Sequence, residues 1–214
     1  MKKTLSILAA VAMLGGCCSD NQKLPTRVAC IGDSITEGFG ITWQSDNSYP
    51  ALLDSILGDD YAVMNFGRSS TTTLRDGDFP YWSAKEFRNA LNYRPEIVII
   101  KLGTNDCKAY QWNAEKFEKS YQSLVDTLRS AGNPDIKVCL PIPVTQLIWE
   151  MNDSVITNGV IPVIRTIAER NSLEIIDLYS VFENHQEWYL NDGVHPNRDG
   201  AKIIAERVAL AVKK

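Results

Sequence analysis

Five short apolar runs constrain the fold of this chain more than any other feature. They are RVACIG (27–32), YAVMNFG (61–67), EIVIIKLG (96–103), IKVCLPIP (136–143) and LEIIDLY (173–179). Each is rich in β-branched residues, and several are apolar without interruption, as strands covered on both faces are. Helical spacing fills the gaps at 49–57, 114–132, 160–171 and from Asn197 to Val212. Asn113 is placed to cap the second helix, with Gly132 and Pro134 ending it. Strand and helix alternate throughout, which predicts an α/β fold, a parallel sheet with helices on both faces.

The first residues read differently. A basic MKK precedes an apolar run from Leu5 to Leu14, which is too short to span a bilayer, and LGGC follows. This is the pattern of a secretory signal. Its Leu-Gly-Gly-Cys ending resembles a bacterial lipoprotein signal, which implies cleavage before Cys17 and lipid on that thiol. Residues 1–16 are then signal, 17–26 a polar tether and 27–214 one domain with a substantial core. The expected location is outside the cytoplasm, on a membrane through the Cys17 anchor. The remaining chain carries 20 basic and 26 acidic side chains. It has no basic cluster, which argues against a nucleic-acid partner.

Five cysteines do not form a disulfide framework here. Cys17 is assigned to lipid with Cys18 beside it, Cys30 and Cys139 sit in apolar runs, and Cys107 falls in a loop where it is open to reaction. There is no CxxC, no zinc spacing and only two histidines. Neither metal nor cofactor is expected.

In parallel α/β folds the chemistry lies beyond the carboxyl ends of the strands. Reactive polar residues concentrate there: GDSITEG (32–38), GRSSTTT (67–73), GTND (103–106) and, past a loop, LNDGVHPN (190–197). Ser34 sits at a helix start, where an N-cap is the plain alternative. Gly67 and Asn105 offer an unobstructed N–H and an uncharged amide donor, although Gly and Asn are also ordinary turn residues. Asp192 and His195 lie three residues apart in a turn that leads into the last helix.

GDSI with Ser34, NFG with Gly67, GTND with Asn105 and DGVHP with Asp192 and His195 resemble the four blocks of the SGNH hydrolases, the GDSL-type esterases. The order matches, and the resemblance covers nearly all of residues 27–214. Block two often reads N-x-G-x-S-G, whereas Ser70 stands here in the final position. The resemblance implies a flavodoxin-like three-layer α/β/α sandwich with a five-stranded sheet, and a carboxylic ester hydrolase. Ser34 would be the nucleophile, His195 the general base and Asp192 its orienting partner. The Ser34 N–H, the Gly67 N–H and the Asn105 side chain would form the oxyanion hole. Asp33, Asp106 and Asp177 read as hydrogen bonders that fix loops, and His185 as a loop residue.

Trp43, Trp82, Trp112, Trp149 and Trp188 fall one each in the segments after the five runs, so an aromatic rim around the site is expected. The chain is similar to bacterial carbohydrate and sialate O-acetylesterases. The expected substrate is an acylated carbohydrate or another small ester. A lysophospholipase or thioesterase of the same family, an acyltransferase and a non-catalytic glycan-binding lipoprotein stay open as alternatives.

Overall fold

The structure, a computed structural model, describes residues 23–214. The expected signal segment, Cys17 and the first part of the expected tether lie outside the described residues. Five strands form one parallel sheet: β1 Thr26–Gly32, β2 Tyr61–Gly67, β3 Ile97–Lys101, β4 Asp135–Cys139 and β5 Glu174–Ile176. Their order is β2-β1-β3-β4-β5, so the winding reverses between β1 and β3. That reversal opens a crevice at the carboxyl ends of those two strands.

Helices α1 Ser34–Glu37, α2 Gln44–Asn47 and α3 Tyr49–Leu57 follow β1, and α4 Lys85–Tyr93 follows β2. Next come α5 Ala114–Gly132 after β3, then α6 Asp153–Val155 and α7 Ile161–Asn171 after β4. The last two, α8 Leu178–Phe182 and α9 Arg198–Val212, follow β5. Successive strand residues point to opposite faces. Val28, Cys30 and Ile99 meet Leu53 of α3 and Ile204 and Val208 of α9 on one face. Ala29, Ile31 and Ile100 meet Phe87 of α4, Leu124 of α5 and Ile164 of α7 on the other. Each fully buried aliphatic side chain contributes about 1.5–3 kcal/mol, so both helical layers are held by apolar burial.

Several expectations hold in detail. Helix α5 has the predicted bounds, and the Asn113 side chain caps it by accepting from Lys116 N. The amphipathic C-terminal helix is present as α9, with Asn197 as its cap, accepting from Gly200 N. Others need correction. Gly132 is the last residue of α5, and Asn133 makes the left-handed exit (φ 50°). The fifth apolar run is a strand only to Ile176, because Asp177 caps α8 by accepting from Ser180 N. The 160–171 helix begins at Ile161 and is reached through a π-helical turn, Ile156–Val160. The sequence reading missed α4, whose buried face is only Phe87 and Ala90. Cys107 is buried, and burial pushes its thiol up to about 11. It is therefore not the open, reactive thiol that its loop position suggested.

Candidate active site

Ser34 is the first residue of α1, immediately after β1, and Asp33 rather than Ser34 caps that helix by accepting from Ile35 N. His195 and Asp192 come from the turn before α9. The three meet in one line. His195 Nε2 stands 2.9 Å from Ser34 Oγ, and His195 Nδ1 stands 2.8 Å from Asp192 Oδ2. The second carboxylate oxygen of Asp192 accepts the N–H groups of Val194 and His195, each at 2.9 Å. Burial pushes the Asp192 carboxyl up, but these donors and the imidazole outweigh it and hold the group below the usual carboxylate range. The turn thus fixes both the charge of Asp192 and the orientation of the imidazole.

A cavity of about 220 Å³ opens over Ser34, lined by His195, Asn105, Ser69, Ser70, Phe39, Phe79, Lys108, Trp149 and Met151. Phe39 packs tilted against the His195 ring at 4.7 Å, and Trp149 meets it edge-on at 5.8 Å. Asn105 is buried; its Nδ2 donates to Thr71 O at 3.0 Å, which leaves its other N–H uncommitted. The Ser34 N–H has no protein acceptor among the described residues.

Gly67 does not join them. Its N–H donates to Asn65 Oδ1 at 2.8 Å. A Cβ at this position would stand 2.1 Å from Glu37 N, so glycine is needed here for close packing against α1. The residue sequence reasoning missed is Ser70. It lines the Ser34 cavity, holds a left-handed backbone (φ 66°), and its N–H has no acceptor among the described residues. The signal was present: position 70 is where the N-x-G-x-S-G pattern carries its second glycine, and the conformation found there is one that favours glycine.

Beneath the cavity lies a charged pair. Lys101 Nζ, wholly buried, donates to Thr104 Oγ1 at 2.9 Å and stands 3.4 Å from Asp33 Oδ2. Burial pushes the ammonium below the usual lysine range, against the pull of Asp33. Asp106, also buried, accepts Thr73 N and Leu74 N at 3.0 and 2.8 Å. Burial pushes its carboxyl up to about 6 in spite of those donors. Asp33 and Asp106 therefore fix loops, as expected, and Asp177 fixes α8 and pairs with Arg165 at 3.0 Å. His185 stacks on Trp188 and bonds Glu187, away from the cavity.

The aromatic rim is narrower than the five tryptophans suggested. Trp149 lines the cavity and Trp43 is exposed. Trp82 donates to Thr73 O and packs on Phe87, Trp112 packs on Phe117, and Trp188 packs on Phe182. Among the described residues no group of His, Cys, Asp and Glu is arranged to hold a metal ion.

The family described as GDSL-like lipase/acylhydrolase matches residues 30–203. An acetylxylan esterase of Xylanibacter ruminicola is 41% identical over 87% of this chain, which spans only 43% of that relative. An arylesterase of Vibrio mimicus is 23% identical, covering 92% of this chain and 94% of the relative. A solved aryl esterase of M. smegmatis has a TM-score of 0.69 at 22% identity, covering 88% of this chain and 98% of that one. A solved carbohydrate acetylesterase of Sinorhizobium meliloti has a TM-score of 0.70 at 20% identity, with the same coverage. The two solved structures share the fold. The length of the family match establishes that the chain belongs to the GDSL-like lipase/acylhydrolase family.

Proposed function

We propose that this chain is a serine esterase that removes acetyl groups from a carbohydrate. One observation carries the reading: Ser34 Oγ, the His195 imidazole and the Asp192 carboxylate stand in one hydrogen-bonded line at the floor of an open cavity. Ser34 Oγ attacks the ester carbonyl carbon, and its proton passes to His195 Nε2. Asp192 keeps the proton on Nδ1 and stabilises the imidazolium. The tetrahedral intermediate collapses, and the sugar oxygen leaves with the proton from His195. Water, deprotonated by the same imidazole, then releases acetate from Ser34. The oxyanion is held by the Ser34 N–H, by Asn105 Nδ2 and, in place of Gly67, by the Ser70 N–H.

The acetyl preference is supported by the acetylxylan esterase relative, and the cavity of about 220 Å³ lined by Phe39, Phe79, Trp149 and Met151 has room for that group. The carbohydrate leaving group is supported by the acetylxylan esterase relative, and Phe39 and Phe79 offer exposed rings beside the nucleophile. Anchoring through lipid on Cys17, outside the cytoplasm, rests on the Leu-Gly-Gly-Cys motif. Among the described residues no helix is long and apolar enough to cross a membrane. Incorporation of labelled fatty acid into the wild type and not into Cys17→Ser tests the anchor.

Acetate release from acetylated xylo-oligosaccharides tests the activity. The wild type is expected to release acetate and Ser34→Ala to fall to background. Rates on p-nitrophenyl acetate, butyrate and decanoate are expected to fall with chain length. A preference for decanoate would favour a lysophospholipase or thioesterase instead.

A further inference from the structure

A second recess, of about 450 Å³, opens beside the cavity over Ser34. The two share Ser69, Ser70 and Phe79 as walls, and the second adds Arg68, Asp78 and Ser83. Phe79 is 60% exposed, an uncovered ring between the two spaces. A ring face of this kind suits the C–H face of a pyranose.

The charges of the recess are uneven. Asp78 is already engaged: Lys108 stands 2.8 Å away and the Tyr110 hydroxyl also donates to it. Lys108 first, and then Tyr110, hold its carboxyl below the usual range. Glu37 accepts the N–H and hydroxyl of Ser69 and lines a separate cavity with Gln44, Ser48 and Gly67. Arg68 is different. Its main chain is pinned, with the N–H donating to Gly32 O at 2.9 Å and the carbonyl accepting from Thr71 Oγ1 at 2.7 Å. Its guanidinium meets no acceptor among the described residues and is exposed. The recess thus presents an unanswered cation in a chain whose formal net charge is −4. Such a chain repels acidic polymers at long range, so a local cation at the site has a specific use.

We propose that this recess is a subsite for the sugar neighbouring the ester, and that Arg68 selects a glycan carrying a carboxylate there, a hexuronic acid residue. The proposal rests on the esterase reading of the Ser34 cavity. The planar guanidinium fork matches a carboxylate with two parallel hydrogen bonds, which a hydroxyl-only sugar cannot accept with equal strength. Because Arg68 is exposed, solvent screens the contact, and selectivity of about two- to fivefold is expected, shrinking as salt rises.

The test compares acetylated xylo-oligosaccharides with and without a glucuronic acid branch beside the acetylated residue, with p-nitrophenyl acetate as the small uncharged ester. In the wild type the branched substrate is expected to have a kcat/KM about two- to fivefold higher, carried by KM. Within Arg68→Gln the ratio of the two substrates is expected to fall to one, and within Arg68→Lys to return in part. Phe79→Ala is expected to raise KM for both oligosaccharides and leave their ratio unchanged. Equal kcat/KM on both substrates in the wild type overturns the proposal. So does a preference that survives Arg68→Gln, or an unchanged KM in Phe79→Ala. Failure of the wild type to hydrolyse p-nitrophenyl acetate sinks the esterase reading and this proposal with it. Hydrolysis of that ester without uronate preference sinks only the proposal.

Discussion

Asp192 shows how a single side chain is given its state by its surroundings. Its carboxylate oxygens are shared between two main-chain N–H groups and the imidazole, and these outweigh burial. The carboxylate therefore stays ionised across the working range. The proton whose loss arms the proposed base is that of His195. Asn105→Ala is expected to lower kcat by about 10²–10³-fold with little change in KM, the usual loss for one oxyanion donor. Asp106 behaves in the opposite way to Asp192. Its folded value of about 6 lies above the ordinary 3.8, so the folded protein binds this proton more tightly than the unfolded chain. That contribution is present below about pH 4 and is lost as pH rises through about 6; the gap is worth on the order of 3 kcal/mol. Denaturation midpoints measured against pH check the sign. The stability of the wild type relative to Asp106→Asn is expected to fall over that interval, and a constant difference rules the linkage out.

At the scale of elements, helix ends position the site. Ser34 begins α1 and is held there by the Asp33 cap. His195 precedes α9 by two residues, and Asn197 at the cap bonds Gly200 N while its amide ties back to Glu187 O and Tyr189 O. Asn197→Ala is expected to cost about 1 kcal/mol of stability. It is also expected to lower kcat more than KM, because the turn that aims His195 loosens with the cap. Equal kcat in an otherwise destabilised variant would show that the cap serves folding alone. The helices α5 and α9 were legible because their apolar residues recur at helical spacing between clear caps. Helix α4 was not, because two buried side chains make a weak stripe. The short α8 was hidden because the β-branched residues before it run on into Leu178, and only the Asp177 cap divides them.

At the scale of the whole molecule, the reversal of winding between β1 and β3 brings the loops of Ser34 and Asn105 side by side. The Lys101–Asp33 pair lies under both, and neither side chain reaches water. Two buried charges of opposite sign are tolerable together, whereas one alone is not. Lys101→Met is expected to cost about 3–5 kcal/mol, and Lys101→Met with Asp33→Asn to recover much of that loss. Chemical denaturation of the single and double variants measures the coupling; additive losses would mean that the pair acts as two separate groups.

The sequence by itself determined the strand–helix alternation and the five-stranded parallel class, and it singled out Ser34, Asn105, Asp192 and His195 as candidates, because periodicity and short motifs are local properties. It also contained the anomaly at Ser70 without revealing its meaning. Only the tertiary structure decided which N–H groups are spoken for. Gly67 is committed to Asn65 and packed against α1, while Ser70 is left open at the cavity. It also decided that Phe39 and Phe79, rather than Trp82, Trp112 and Trp188, are exposed at the cavity over Ser34. The physical reason is the same in each case. Whether a donor is free or a ring is uncovered depends on the folded backbone and on packing against other segments, and the spacing of residues along the chain encodes neither.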